Sequence, residues 1–208
     1  MKVAVLGGTG SFGRALAARL AAVGEDEIVI GSRDAGRAAA AAVELGAGVS
    51  GATNEEAVRG VDLAVLAVNA DAALETARAV AGPLGPTPLL CVASAIRFEK
   101  GRGMLPDPEA LSLAERVQAL VEAPVAAGLH SVAASNLAEA PDEDALVCGD
   151  DERAKSLSLE LAGRVGGGRA LDAGPLASAR ALEGLTAVIV NLNRRYKAHA
   201  GIRVAGVE

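Results

Sequence analysis

The sequence predicts an α/β fold: a Rossmann-type, doubly wound, mostly parallel sheet with a small C-terminal α/β or helical appendage. Short aliphatic segments alternate with Ala- and Leu-rich helical segments along most of the chain. Segment 62–68 is apolar almost throughout, as a strand covered by helices on both faces requires. A glycine-rich turn follows the first of these segments. Strands that alternate with helices in this way form mostly parallel sheets.

The predicted elements follow one another in a regular order. The predicted strands are 2–6, 27–31, 62–68, 88–93, 124–129 and 145–149, and the sheet gains a further strand if 169–172 joins it. The predicted helices are 11–23, 34–45, 70–81, 152–165 and 177–197. Segment 97–111 holds two Gly and two Pro, which predicts a long surface loop. We expect a main domain over 1–150 and a small C-terminal portion over 151–208, with a soft boundary that extends to 174.

Composition excludes several classes of protein. About half of the 208 residues are apolar, but there is no Trp, one Tyr and two Phe, so the core must be aliphatic. A net charge of -6 argues against a nucleic-acid binder. No segment approaches the length of a membrane span, and a strand that begins at residue 2 leaves no room for a signal peptide. We interpret Cys91 and Cys148 as reduced core residues of a cytoplasmic protein.

The glycines at positions 8, 10 and 13 have the spacing of the dinucleotide-binding fingerprint. They follow a predicted strand and open a predicted helix, which is the context this fingerprint requires. Gly8 permits the tight turn, Gly10 lets the backbone approach a pyrophosphate, and Gly13 lets helix and strand pack closely. The free N–H groups of the helix start then bind the phosphate. The alternative is a glycine turn that serves packing alone.

The end of the second predicted strand selects the cofactor. NAD-binding folds usually place an acid there to bond the ribose hydroxyls. Here the strand ends in Ser32-Arg33, with Arg37 one helical turn later and Asp34 only after Arg33. A hydroxyl and two guanidiniums suit a dianionic 2′-phosphate, so the pattern predicts NADP(H). The alternative is that both arginines belong to a solvated helix start.

The sequence shows no arrangement of residues typical of acid–base or metal catalysis. The sequence has two His, no Ser-His-Asp order and no metal-ligand spacing. This is compatible with hydride transfer between two cofactors, in which positioning does most of the catalytic work. His130 ends a predicted strand on the side where open α/β sheets bind ligands, so it is either a structural residue or one that binds or handles a proton.

Six segments together resemble one family, the NADPH-dependent reductases of the deazaflavin coenzyme F-420, in its actinobacterial branch. They are "GGTGSFG", "GSRDAGR", "GLHSVAAS", "VCGDD", "LDAGPLASARALEGLT" and "NRRYKAHAGIR". The resemblance implies reversible hydride transfer between NADP(H) and the 5-deazaflavin ring of coenzyme F-420. It also implies a small C-terminal portion that closes the deazaflavin site, and a homodimer or higher homo-oligomer whose only other partners are small-molecule coenzymes.

The resemblance assigns roles to particular residues. The pyrophosphate and adenosine side would be lined by Thr9, Gly10, Ser11 and Phe12, and the 2′-phosphate held by Ser32, Arg33 and Arg37. Val68 would lie near the nicotinamide, Asn69 would also bind the cofactor, and His130 and Ala134 would lie near the meeting point of the two rings. The chain departs from archaeal members at Asn69-Ala70 and Ala93-Ser94-Ala95, two segments that should lie close to the deazaflavin.

Two other classes of function remain open. The first is a reductase of another small acceptor, such as an imine, a ketone or a ferric chelate. Hydroxyacid dehydrogenases on related sheets usually carry a large helical second domain, whereas fewer than 60 residues follow Asp150 here. The second is a non-catalytic NADPH-binding protein.

Overall fold

The computed structural model describes residues 1–138 and 142–207. The strands are β1 (Lys2–Leu6), β2 (Glu27–Ser32), β3 (Val49–Thr53), β4 (Leu63–Leu66), β5 (Leu89–Cys91), β6 (Ile96–Glu99), β7 (Gly103–Pro106), β8 (Val125–Gly128), β9 (Ala145–Gly149) and β10 (Ala170–Asp172). The helices are α1 (Ser11–Val23), α2 (Ala35–Leu45), α3 (Asn54–Ala57), α4 (Ala70–Leu84), α5 (Leu113–Gln118), α6 (Ala134–Leu137), α7 (Glu152–Val165) and α8 (Ala179–Tyr196), the last preceded by a 3-10 turn, Leu176–Ser178.

Eight of the strands form one sheet in the order β10-β9-β8-β5-β4-β1-β2-β3. Every neighbouring pair is parallel except β8 and β9, which pair antiparallel through Ala127 and Cys148. The fold class predicted from the sequence, a Rossmann-type, mostly parallel sheet, is confirmed. Segment 170–172 does join the sheet, because β10 pairs with β9 at its edge.

Each face of the sheet carries its own apolar core, so the sheet is doubly wound. Along β1, Val3 and Val5 belong to the core under α1, α2 and α7, while Ala4 and Leu6 belong to the core under α4, α5 and the start of α8. The strands must therefore be apolar at consecutive positions. This explains why their sequence segments lack a polar alternation.

The surface loop predicted over 97–111 is wrong for most of its length. Strands β6 and β7 pair as an antiparallel hairpin, with Gly101 and Gly103 at positive φ beside its turn. Asn191 of α8 holds the hairpin: its Oδ1 accepts from the backbone N–H of Met104 at 2.8 Å, and its Nδ2 donates to the Met104 carbonyl at 2.8 Å. The hairpin depends on a helix that lies far away in the sequence.

Several short elements were absent from the predicted order, among them β3, α3, α5 and α6. Helices α3 and α5 begin with capping boxes, formed by Thr53 with Glu56 and by Ser112 with Glu115. Such caps satisfy helix-start N–H groups that would otherwise have no partner. Helices of four to six residues are too short to show an apolar period, so only the caps identify them.

The two cysteines are free and buried, as predicted. Both pair with Ala127 of the intervening strand β8, so two strand spacings, roughly 10 Å, separate their backbones. Burial raises the pKa of the Cys91 thiol to about 12 and that of Cys148 to about 11. Both thiols are therefore protonated at neutral pH.

Within 1–138 and 142–207, no helix is both long enough and apolar enough to cross a membrane. The division into 1–150 and 151–208 stays a prediction.

Candidate functional site

A cleft of about 460 Å³ opens at the carboxyl edge of the sheet, where β1, β2 and β4 end. Ligands of open α/β sheets bind at this edge. The cleft is lined by Gly7, Thr9, Gly10, Ser11, Phe12, Ser32, Arg33, Asp34, Arg37, Asn54, Ala67, Val68, Asn69, Ala72 and Thr76. Nine of the residues predicted from the sequence lie among them: Thr9, Gly10, Ser11, Phe12, Ser32, Arg33, Arg37, Val68 and Asn69.

The glycines of the turn between β1 and α1 have different structural roles, which the sequence motif does not reveal. Gly7, which the motif does not include, has the left-handed φ of 76°. The N–H groups of Gly7 and Gly8 both donate to the carbonyl of Gly31, each at 3.0 Å. A Cβ at Gly8 would lie 2.8 Å from Ile30, and one at Gly13 would lie 2.5 Å from the Gly7 carbonyl oxygen. Gly8 and Gly13 therefore serve packing behind the cleft and do not line it.

Gly10 differs from its neighbours because it faces the cleft itself. A Cβ built there would meet only the Gly7 carbonyl oxygen, at 3.2 Å. Gly10 is the N-cap of α1 and makes no side-chain cap bond, so the N–H groups of the first helical turn are free to bind an anion. Space and donors coincide at the position where the glycine fingerprint expects a pyrophosphate.

At the end of β2, some polar side chains bond the local backbone and others remain available to a ligand. The buried Ser32 accepts a hydrogen bond from the Asp34 N–H at 3.2 Å, and Asp34 caps α2 by accepting from the Arg37 N–H at 3.0 Å. The guanidiniums of Arg33 and Arg37 are exposed and form no ion pair with any acid in the described ranges. Two unpaired cations beside a hydroxyl suit a dianionic phosphate.

Asn54 is a cleft residue that sequence reasoning missed. Its side chain is buried, and its Oδ1 has no hydrogen-bond donor among the described residues. A Cβ at Gly31 would lie 2.7 Å from this oxygen, so the amide lies directly over the end of β2. Thr76 and Ala72 of α4 line the cleft with it. The capping box of α3 locates that helix but assigns no function to Asn54, and α4 carries no recognisable motif at Ala72 or Thr76.

At the other end of the cleft, Val68 and Asn69 connect β4 to α4. Val68 is half-buried, and its Cγ1 would lie 2.6 Å from a Cβ at Gly7. Asn69 is the N-cap of α4 but makes no side-chain cap bond, so its amide stays available to a ligand. These two residues close the cleft on the side towards β5.

His130 and Ala134 do not line the cleft. His130 follows β8, its side chain is buried, and neither ring nitrogen has a hydrogen-bond partner in the described part of the chain. Its carbonyl accepts from the Thr186 hydroxyl at 2.8 Å, and Thr186 lies 2.9 Å from the Ser94 hydroxyl. The end of β8, the segment after β5 and α8 thus meet at one point. In the sheet, β5 lies beside β4, the strand that leads to Asn69. Ala134 begins α6 and is half-buried.

Burial lowers the pKa of His130 from 6.5 to about 4, and the nearby Ala93 backbone opposes this shift only in part, so the imidazole is neutral at physiological pH. A neutral imidazole donates one hydrogen bond and accepts another, but it is a poor proton donor near pH 7. Both ring nitrogens are therefore suited to orienting a polar ligand.

The same pKa shift predicts a pH dependence of stability. Below pH 6.5 the unfolded chain binds a proton at His130 that the folded chain excludes until about pH 4, so this group destabilises the fold as pH falls. Between pH 8 and pH 5.5 we expect wild type to lose on the order of 1 kcal/mol of unfolding free energy relative to His130→Gln. Urea unfolding of both proteins at both pH values measures this. A pH-independent difference between them would contradict the burial of a neutral imidazole.

Glu183 is a second buried polar group of this region, one turn before Thr186 on α8. Burial raises its pKa to about 7, and its Oε1 accepts from the Leu113 N–H at 2.6 Å. Because its folded-state pKa is raised, Glu183 stabilises the fold as the pH falls, which is opposite to the effect of His130. Wild type and His130→Gln both contain Glu183, so its effect cancels when the two proteins are compared. No cluster of three or more potential metal ligands occurs among the residues that the structure describes.

Comparisons with known proteins agree with this geometry. The model of a family described as coenzyme F420-dependent NADP oxidoreductase matches residues 2–89. An F420-dependent NADP reductase of Methanothermobacter marburgensis is 36% identical over 227 residues, which cover 100% of this chain and 99% of that protein. The corresponding protein of Methanocaldococcus jannaschii is 34% identical over 226 residues, with 100% of both chains covered.

Solved structures extend the comparison. A protein of Arthrobacter sp. FB24 superimposes with a TM-score of 0.86 at 28% identity and covers 99% of each chain. An imine reductase of Streptomyces aurantiacus superimposes with a TM-score of 0.63 at 24% identity. The latter match covers 95% of this chain but 62% of that one, and it concerns the fold alone.

Proposed function

Because the chain belongs to the family of F420-dependent NADP reductases, we propose that it transfers a hydride reversibly between NADP(H) and the deazaflavin coenzyme F-420. The observation that carries this proposal is the extent of the similarity. It runs through the whole chain, including β8, α8 and the segments around His130, and is not limited to the dinucleotide-binding half.

The cleft supports NADP(H) as the first coenzyme. The open space at Gly10 and the N–H groups at the start of α1 would hold the pyrophosphate. Ser32, Arg33 and Arg37 would hold the 2′-phosphate, since the two arginines have no acidic partner in the described structure. The nicotinamide would then lie towards Val68 and Asn69 at the opposite end.

The deazaflavin ring would lie where the segments after β4, β5 and β8 meet. Ser94, Thr186 and the His130 carbonyl form a hydrogen-bonded chain at this point, and neither ring nitrogen of His130 has a hydrogen-bond partner among the described residues. When bound, NADPH supplies the hydride and the deazaflavin ring accepts it. The residues of this chain orient the two rings and exclude water, and His130 would bind a polar edge of the ring.

The two segments that differ from archaeal members of the family, Asn69-Ala70 and Ala93-Ser94-Ala95, follow β4 and β5 and so belong to the proposed deazaflavin site. Ala93 and Ala95 are buried, and Ser94 uses its hydroxyl on Thr186. These small side chains make the wall beside the ring.

His130→Gln tests the part that this residue plays. We expect turnover with coenzyme F-420 to fall about 5- to 30-fold, the cost of losing roughly 1–2 kcal/mol of hydrogen bonding, while NADPH affinity stays nearly unchanged. Steady-state kinetics and NADPH titration of one preparation measure both. An equal loss of NADPH affinity would place His130 in the dinucleotide site instead. A loss of 10²-fold or more would indicate that it handles the proton.

One assay separates the proposed activity from its alternatives. Purified protein is mixed with NADPH and coenzyme F-420, and the visible absorbance of the deazaflavin is followed. We expect the absorbance to disappear with NADPH and to persist with NADH. NADPH binding without any loss of deazaflavin absorbance would contradict the proposed acceptor and favour another one, or a protein that only binds NADPH.

We further propose that the protein is a cytoplasmic homo-oligomer, with residues 151–208 closing the deazaflavin site. Val188, Leu192 and Tyr196 form an exposed apolar stripe along α8, which favours contact with a second copy. The free, buried cysteines suit a reducing compartment. Sedimentation velocity measures the oligomeric state, and a monomer at micromolar concentration would contradict this part of the proposal.

A further inference from the structure

Six cations lie on the hairpin and on the last turns of α8, in a chain that is acidic as a whole. They are Arg97, Lys100, Arg102, Arg194, Arg195 and Lys197, here called the basic patch. The hairpin and segment 191–197 together hold one acid, Glu99, whereas the whole chain has 26 acids and 20 cations. The positive charge is therefore concentrated at one site.

The two halves of the basic patch are in direct contact. The guanidinium of Arg194 lies 5.0 Å from the centroid of the Phe98 ring, a cation–π contact that joins α8 to β6. Glu99 pairs with Arg97 at 3.7 Å and with Arg102 at 3.1 Å. Among the described residues, Lys100, Arg194, Arg195 and Lys197 make no ion pair. One carboxylate leaves most of this charge uncompensated.

The basic patch starts beside the proposed deazaflavin site. Thr186 contacts His130 and Ser94 at that site, and Arg194 lies eight residues further along α8, about 12 Å away. Strand β6 begins two residues after Ser94, so the hairpin leaves the same point alongside the helix. A ligand whose ring lies at Thr186 would meet the basic patch as soon as it extends outwards.

From this placement we infer that the basic patch is the docking site for the phosphodiester and polyglutamate tail of the deazaflavin coenzyme. This inference rests on the proposed function, since that function supplies the ring to which the tail is attached. The chemistry recognised is a flexible polyanion. Exposed cations attract such a ligand over roughly a Debye length, about 8 Å at physiological salt, and no buried pocket is needed.

The test compares two substrates and two pairs of arginines. The substrates are coenzyme F-420 and the same deazaflavin lacking its phosphodiester and glutamates. The test variant is the double change Arg194→Gln with Arg195→Gln. The control is Arg59→Gln with Arg153→Gln, which removes the same charge from two exposed positions elsewhere. Arg97→Gln gives an independent test on the hairpin.

We expect the test variant to raise the KM for the complete coenzyme about 5- to 20-fold and to flatten its dependence on salt. The truncated substrate, the NADPH constants, the oligomeric state and the circular dichroism spectrum should not change, and Arg97→Gln should act in the same direction.

Equal effects on both substrates, equal effects of the control, or no effect at all would each overturn the inference. Dissociation of the oligomer in the test variant would assign the basic patch to a subunit contact and would also overturn it. Failure of the proposed function is distinguishable, because wild type would then reduce neither deazaflavin.

Discussion

Gly10→Val is expected to abolish NADPH binding and to leave the fold intact. In the structure a Cβ at Gly10 meets only one atom, the Gly7 carbonyl oxygen at 3.2 Å, and the N-cap backbone is extended, which valine adopts readily. The methyl groups would instead fill the space that the pyrophosphate needs. Each charge-assisted phosphate contact contributes about 1.5–3 kcal/mol, so losing two of them raises the Kd by at least about 100-fold.

Two other glycines provide the controls for this variant. Gly13→Val should damage the fold itself, because its Cβ would lie 2.5 Å from the Gly7 carbonyl oxygen. Gly163→Val, on the exposed side of α7, meets only Ala170 at 4.0 Å and should change neither property. Circular dichroism, urea unfolding and NADPH titration of the three proteins measure the difference. Unchanged NADPH affinity in Gly10→Val would rule out a pyrophosphate at this turn.

Arg33→Ala is expected to weaken NADPH binding about 10- to 100-fold and to leave NADH binding nearly unchanged. The Arg33 guanidinium lines the cleft without an ion-pair partner among the described residues, so its removal leaves no buried acid uncompensated. Its loss removes a bidentate contact of about 1.5–3 kcal/mol to a 2′-phosphate that NADH lacks.

Arg78→Ala, on the exposed face of α4 outside the cleft, is the matched control for the loss of one charge. Fluorescence titration with NADPH, NADH and 2′-AMP separates the contributions. The same loss for NADPH and NADH would show that Arg33 maintains the shape of the cleft instead of binding the 2′-phosphate.

The prediction of the dinucleotide cleft depended on residues close together in the sequence. The glycine turn, the end of β2 and the start of α2 fall within the first 40 residues, and each follows a strand that is apolar on both faces. Parallel strands bring their carboxyl ends to one edge of the sheet, so sequence order alone predicts that these segments converge. Nine of the predicted residues do lie around one cleft.

The deazaflavin side could not be predicted in the same way. The hairpin forms because Asn191 bonds the backbone of Met104, which lies 87 positions earlier. The position of His130 at a strand end was predicted, but only the packing around it shows that its ring is buried with no hydrogen-bond partner among the described residues. Asn54 belongs to a helix of one turn, which is stabilised by its capping box and is too short to show an apolar periodicity in the sequence.

The sequence by itself determined the strand–helix order, the doubly wound sheet and the NADP-type end of β2, because apolar periodicity and turn chemistry act between near neighbours. The tertiary structure decided the antiparallel β9, the hairpin, the neutral His130 and the contact that joins the cations of the hairpin to those at the end of α8. Each of these depends on desolvation or on contacts between residues far apart in the chain. Local sequence patterns do not encode such contacts, since they exist only once the sheet has brought distant segments together.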